Sequence, residues 1–290
     1  MQLKVFLLFL IIPVISACER SFNISIPEWS DKPVLNLLMN KDSIMVARVT
    51  LSSRVGGSRD IKDMKDVVVS LYENGDFKET LNPYVQSGTT YYHSHTLAQA
   101  GADYRVSAVV PGYEEISGSD RVPDTVKTDG IKMVSTKVNA WQEKVTISLQ
   151  LHDDPDVQNY YRFRMYEVRD WGVTDGDTVE VKYLQDFETG EIGIPILDDN
   201  KHTEFFTTDA LFNGRSPVFN LRADLIPGFK MVILEVSSLT YHSYNYLNSL
   251  FLAGENNDDP LSEKVIVYNN IIKGLGIVGG VAQRQYFLVK

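Results

Sequence analysis

The sequence predicts a mainly β protein. It reads as an N-terminal immunoglobulin- or fibronectin-like β-sandwich over residues 18–125, then a larger β-rich domain over residues 126–290 with one packed α-helix near residues 239–252. Three observations carry this expectation. Side chains alternate with period two in several runs, the spacing that puts every second residue on one face of a strand. Turn-forming pairs such as Asn74-Gly75 and Pro111-Gly112 separate those runs. Leu239–Leu252 is the exception, with apolar residues near helical spacing.

Residues 1–17 come first. They carry one charge, Lys4, an apolar run from Val5 to Val14, and the small residues Ser16 and Ala17. The run is shorter than the roughly 20 apolar residues of a spanning helix and reads as a secretory signal. Cys18 follows directly in Ile15-Ser16-Ala17-Cys18. That arrangement is similar to a bacterial lipobox, in which the cysteine becomes the lipidated N-terminus. Each buried CH₂ of an acyl chain such as palmitate contributes about 0.8 kcal/mol, so several chains on Cys18 make a lasting membrane anchor. The expected mature protein is a body tied to a membrane. Glu19 is the single acidic residue directly after Cys18, a minimal form of the acidic cluster that exports some lipoproteins to the cell surface.

In the expected sandwich, Ile44, Val46, Arg48 and Thr50 alternate with Met45, Ala47, Val49 and Leu51, and Val67, Val69 and Leu71 alternate with polar neighbours. Tyr104, Val106, Ala108 and Val110 form a further alternating strand. Leu97–Tyr104 resembles the approach to the tyrosine corner of fibronectin-like sandwiches, where a tyrosine hydroxyl ties a loop to the sheet. The polar stretch Val122-Pro123-Asp124-Thr125 marks the boundary.

Beyond it, Val145, Ile147, Leu149 and Leu151 alternate strictly. Tyr160–Val168 places Tyr161, Phe163 and Met165 on one face and Tyr160, Arg162, Arg164 and Tyr166 on the other. Val179–Tyr183, Glu204–Thr207, Val218–Leu221 and Lys230–Val236 are further strands. Ser237 or Ser238 is the expected helix cap and Gly254 the expected stop. Gly274-x-Gly276-x-x-Gly279 satisfies a dinucleotide-loop spacing, but no βαβ unit surrounds it. A turn and a closely packed final strand pair is the expectation there.

The charge balance, 28 Lys and Arg against 38 Asp and Glu, gives −10, and an acidic surface disfavours nucleic-acid phosphates. One cysteine excludes an intrachain disulfide framework and a cysteine-rich zinc site. His93 and His95 share one face of a candidate strand, spaced to chelate a metal if a third ligand arrives, with exposed strand residues the plainer reading. His152 beside Asp153, Asp154 and Asp156 offers a metal or acid–base pair, against a solvated turn. The acidic loops Asp175-Gly176-Asp177, Asp198-Asp199-Asn200 and Asn256–Asp259 do not complete a twelve-residue calcium loop. No Gly-x-Ser-x-Gly occurs, and Gly57-Ser58 and Gly88-Thr89 have no recognisable partner set.

Asn159–Phe163, the Tyr-rich helix with Tyr246-Leu247, and Pro260–Gly280, with the lipobox, together resemble the Bacteroidota lipoproteins of domain of unknown function family 4249. The resemblance implies an outer-membrane lipoprotein, often encoded beside a TonB-dependent transporter, and supplies no catalytic residues. The resulting expectation is a noncatalytic accessory of such a transporter in nutrient capture or uptake, without cofactor, metal or nucleic acid. Tyr160, Arg162, Tyr241, Tyr244 and Tyr246 are its expected partner surface, since amphipathic rings suit interfaces. A structural or adhesive envelope role is the alternative, and a surface hydrolase a more remote one.

Overall fold

Fifteen-residue strands are long for a globular protein, and two of them, near the middle of the chain and at its end, organise this one. The computed structural model describes residues 31–52, 62–64, 66–174, 177–189, 201–256 and 263–290. The signal segment, Cys18, Gly57-Ser58, Asp198–Asn200 and most of the loops at 175 and 257 lie outside the described residues.

The first part of the chain forms β1 (Pro33–Asn40), β2 (Ile44–Leu51), β3 (Lys62–Asp63), β4 (Val68–Glu73), β5 (Asp76–Thr80), β6 (Asn82–Gln86), β7 (Thr89–Leu97), β8 (Asp103–Val109) and β9 (Ile116–Arg121). The second part forms β10 (Lys127–Lys137), β11 (Glu143–His152), β12 (Tyr160–Thr174), β13 (Asp177–Gln185), β14 (Glu188–Thr189), β15 (Glu204–Thr208), β16 (Val218–Leu225), β17 (Met231–Leu239), helix α1 (Tyr241–Asn256) and β18 (Leu275–Val289). Asn74 and Gly75 both have positive φ, as a two-residue hairpin turn between β4 and β5 requires.

A ten-stranded sheet runs β13-β12-β17-β18-β1-β2-β7-β6, with β15 beside β12 and β3 beside β2. Two four-stranded sheets, β5-β4-β8-β9 and β10-β11-β16-β14, pack against it. The result is two sandwiches that share one long sheet. Leu35, Leu37, Met45 and Val49 of the long sheet meet Val69, Leu71, Tyr104 and Val106 in the first core. Phe163, Met165, Leu234 and Val236 meet Val145, Ile147, Phe219 and Leu221 in the second. Chain order within the cores changes between Val122 and Val126, but Ile271 and Val278 return from the far end of the chain to the first core.

β18 makes that return. It runs parallel to β1, with Val34 opposite Leu275 and Asn40 opposite Val281, and antiparallel to β17. The expected turn stands at Lys273-Gly274, and the expected strand pair after it is corrected to one unbroken strand. Its glycines allow close approach: a Cβ at Gly280 would stand 1.9 Å from the Arg121 carbonyl oxygen, and Gly276 sits at φ +111° against the Leu35 carbonyl.

The helix cap is also corrected. Ser237 and Ser238 stay in β17 because β12 and β18 pair on both sides of them. Thr240 is the capping residue, its hydroxyl accepting from Ser243 N at 3.2 Å. Gly254 falls inside α1, not at its end. The tyrosine corner takes its expected form: the buried Tyr104 hydroxyl accepts from Gln99 N at 3.1 Å and donates to Glu73 at 2.8 Å.

Candidate functional site

A groove of about 1240 Å³ opens where three segments meet: Arg121–Lys127 between β9 and β10, the Asp153–Asn159 loop between β11 and β12, and Ser238–Tyr241 at the β17–α1 junction. Short-range polar chemistry fixes each segment. Asp153 accepts from the Tyr161 hydroxyl at 2.6 Å and from Gly214 N at 2.9 Å. Asn159 donates its backbone N–H to the buried Asp209 and its side-chain amide to the Asp154 and Val157 carbonyls. Asp120 accepts from the Thr240 hydroxyl, from Gly280 N and from Arg121 N, and so ties β9 to β18 and to the start of α1. Burial pushes the Asp120 carboxyl up despite those bonds. Lys41 pairs with Asp124 at 3.6 Å across the mouth.

Tyr160 and Tyr241 form one wall, their rings edge-on at 6.0 Å. They begin an aromatic chain over the outer face of the long sheet. Tyr160 packs on Tyr244 at 5.0 Å, Tyr244 on Phe206 at 6.1 Å, and Phe206 on Phe251 at 6.0 Å. Tyr241 also meets Tyr268, which stacks on His242.

The five residues expected as a partner surface divide. Tyr241 is 53% exposed. Tyr160 is buried, and Tyr244 is half-buried against it. Tyr246 turns toward β1, its hydroxyl donating to Asn36 at 3.3 Å. Burial pushes the Tyr244 and Tyr246 hydroxyls up. Arg162 is only 7% exposed. It sits 3.6 Å from Glu204 and 3.8 Å from Glu235, beside Arg164, whose Nε donates to Glu235 at 2.6 Å. Alternation put these polar residues on the outer face correctly, but α1 packs on β18, β17, β12 and β15 and turns that face inward.

Two features escaped the sequence reasoning. Trp141, at the β10–β11 hairpin, is 82% exposed, and its backbone N–H donates to Asn139 Oδ1 at 2.7 Å. An aromatic residue inside the short polar link between two alternating strands was its signal. The second concerns His152. Its partner is not the adjacent acidic run but Asp129 of β10, 2.7 Å from Nε2, and Ser216, 2.9 Å from Nδ1. This places a carboxylate, an imidazole and a hydroxyl in hydrogen-bonded order at the rim of the groove, the order in which an orienting group, a base and a nucleophile stand in acyl transfer. His93 and His95 do share one face of β7, with ring centres 5.9 Å apart. No group of three His, Cys, Asp or Glu able to hold a metal occurs among the described residues. No helix among them is long and apolar enough to cross a membrane.

A family model described as "Domain of unknown function (DUF4249)" matches residues 19–286. No match to a curated protein was found.

Proposed function

The chain belongs to the DUF4249 family, and from that premise we propose that it is a noncatalytic, lipid-anchored outer-membrane protein, an accessory of a TonB-dependent transporter in nutrient capture or uptake. The observation that carries the reading is Cys18, the chain's single cysteine, placed directly behind Ile15-Ser16-Ala17 at the end of a short apolar run. Anchoring confines the body to the membrane plane and raises its effective concentration beside an embedded partner. The groove and the exposed Tyr241 supply a preformed contact region, held by part-buried bonds that need no ordering on binding.

The test is affinity purification of the tagged lipoprotein from its native outer membrane in mild detergent, with mass spectrometry of what accompanies it. A near-stoichiometric TonB-dependent barrel, lost from a Cys18→Ala chain, is the expected result. Recovery alone, at good yield and with the anchor intact, overturns the stable-complex reading and favours an adhesive or structural role. Tyr241→Ala tests the contact region with the fold preserved, since that ring is half exposed; unchanged recovery of the barrel removes Tyr241 from the interface.

A second reading, a surface hydrolase, has one observation in its favour, the Asp129–His152–Ser216 chain. Turnover of small activated esters that disappears in Ser216→Ala would establish it, and equal rates in the two proteins would remove it.

A further inference from the structure

The geometry points to a divalent transition-metal site formed by His93 and His95 on the outer face of β7, with Glu79 as its supporting carboxylate. β7 pairs with β6 in regular register from Thr89 to His93, and its register against β2 shifts between the Val46–His93 and Ile44–Leu97 pairs; across that irregularity the His93 and His95 rings still lie together on one side of the strand. The two rings stand 5.9 Å apart. With metal–nitrogen bonds of about 2.0–2.1 Å, two imidazoles on one tetrahedral ion hold their centres about 5 Å apart. A small rotation within the same side-chain wells closes that difference.

The surroundings are those of a ligand pair. Glu79 lies 3.1 Å from His95 Nδ1 and also accepts from the backbone N–H of His95 and Thr96, each at 2.9 Å. A carboxylate on Nδ1 fixes the tautomer, leaves the Nε2 lone pair outward and raises its basicity, the usual outer-shell arrangement of a metal-bound histidine. The Asn82 amide, 3.4 Å from that Nε2 and 3.3 Å from Nδ1, is the weak contact an ion would displace. His93 has the complementary character. Its Nδ1 is buried and bonds to no group, so Nε2 is the nitrogen left for a ligand. Tyr84 holds the ring edge-on at 5.3 Å and limits its rotation.

No third His, Cys, Asp or Glu completes the set among the described residues, so water fills the remaining positions. Two imidazoles with water suit Cu²⁺, Ni²⁺ and Zn²⁺, and Cu²⁺ binds such a set most tightly. The inference is independent of the transporter reading, because it rests on β5, β6 and β7 alone.

The test is Cu²⁺ titration of the purified, chelator-stripped full-length protein, followed by calorimetry and by electron paramagnetic resonance. One ion coupled to two imidazole nitrogens is expected. His93→Asn and His95→Asn should each weaken binding at least tenfold and leave one coupled nitrogen. Glu79→Gln should weaken it 10–100-fold and keep both nitrogens, the signature of a supporting group and not of a ligand. Circular dichroism checks that each variant is folded. Equal Cu²⁺ affinity in the wild type and the His93→Asn/His95→Asn double variant overturns the site, as does a wild-type spectrum without two-nitrogen coupling.

Discussion

The outer face of the long sheet has two halves that differ in what lies above them. Over β12, β17 and β18 it is covered by α1, and its polar residues, Arg162, Arg164 and Glu235, are drawn into a paired, water-poor cluster. Over β1 and β2 it is more open: Leu38 at 37%, Val46 at 39% and Ile44 at 53% stand exposed on it, beside Arg48 and beside Asn36, which the Tyr246 hydroxyl reaches from the edge of α1. The ladder is continuous and the alternation is the same. Sidedness in a strand is thus set by register, but burial is set by whatever the chain lays on top afterwards. A covered face can hold charges when they satisfy each other, and an open face can hold isolated apolar groups at little cost.

Three predictions break or sharpen this contrast. The largest effect belongs to the covered half. Glu235→Ala removes one of the two carboxylates that Arg162 and Arg164 share, leaving Glu204 alone against both guanidinium groups, and should destabilise the protein by about 3–5 kcal/mol in denaturant unfolding. A loss under about 1 kcal/mol would mean that water reaches the cluster and that the halves differ less than described.

The second concerns the open half, where Glu79 of β5 joins β7 across two sheets. Burial opposes ionisation of Glu79, but hydrogen bonds from the backbone N–H of His95 and Thr96 and from both side chains prevail and hold its pKa down at about 2, from 4.5. A lowered carboxyl stabilises the fold above its unfolded value and loses that contribution as pH falls. Stability should therefore decline from about pH 4.5 toward pH 2 through this group. Glu79→Gln should flatten that part of the stability–pH curve; an unaltered slope would remove the joint.

The smallest effect lies in the cover itself. Gly254 is an exposed glycine inside α1 with no atom within 4 Å of a Cβ. Gly254→Ala should raise stability by about 0.5–1 kcal/mol and slow amide exchange in the last turns of α1. Faster exchange there would indicate that the helix end depends on an unstrained glycine.

Much of the fold was legible because it is local. β2, β11 and β12 follow from alternation, and the β4–β5 hairpin follows from Asn74-Gly75. What was not legible is non-local. Nothing near Leu275 indicates that it will lie beside Val34. Thr240 became the cap because two neighbours extended β17 through both serines. The same limit governed the sites. His93 and His95 were readable as a pair on one face, but Glu79 reaches them through tertiary packing. His152 sat among three aspartates in sequence, yet its partners came from Asp129 and Ser216, outside that run. Arg162 was placed on the correct face, and α1 then closed over it.

The parallel pairing of β1 and β18 has a mechanical consequence. β1 is the first described strand, flanked by β18 on one side and β2 on the other, with seven residue pairs to β18 alone. Ladder hydrogen bonds lie across the strands. A pull on the chain at Asp31, directed along β1, therefore loads both ladders in shear, with many bonds sharing the force at once, and does not peel them one by one. A body tugged from its N-terminal side would resist drag as a clamp, and a force applied at Lys290 along β18 would load a different ladder, the nine residue pairs between β18 and β17.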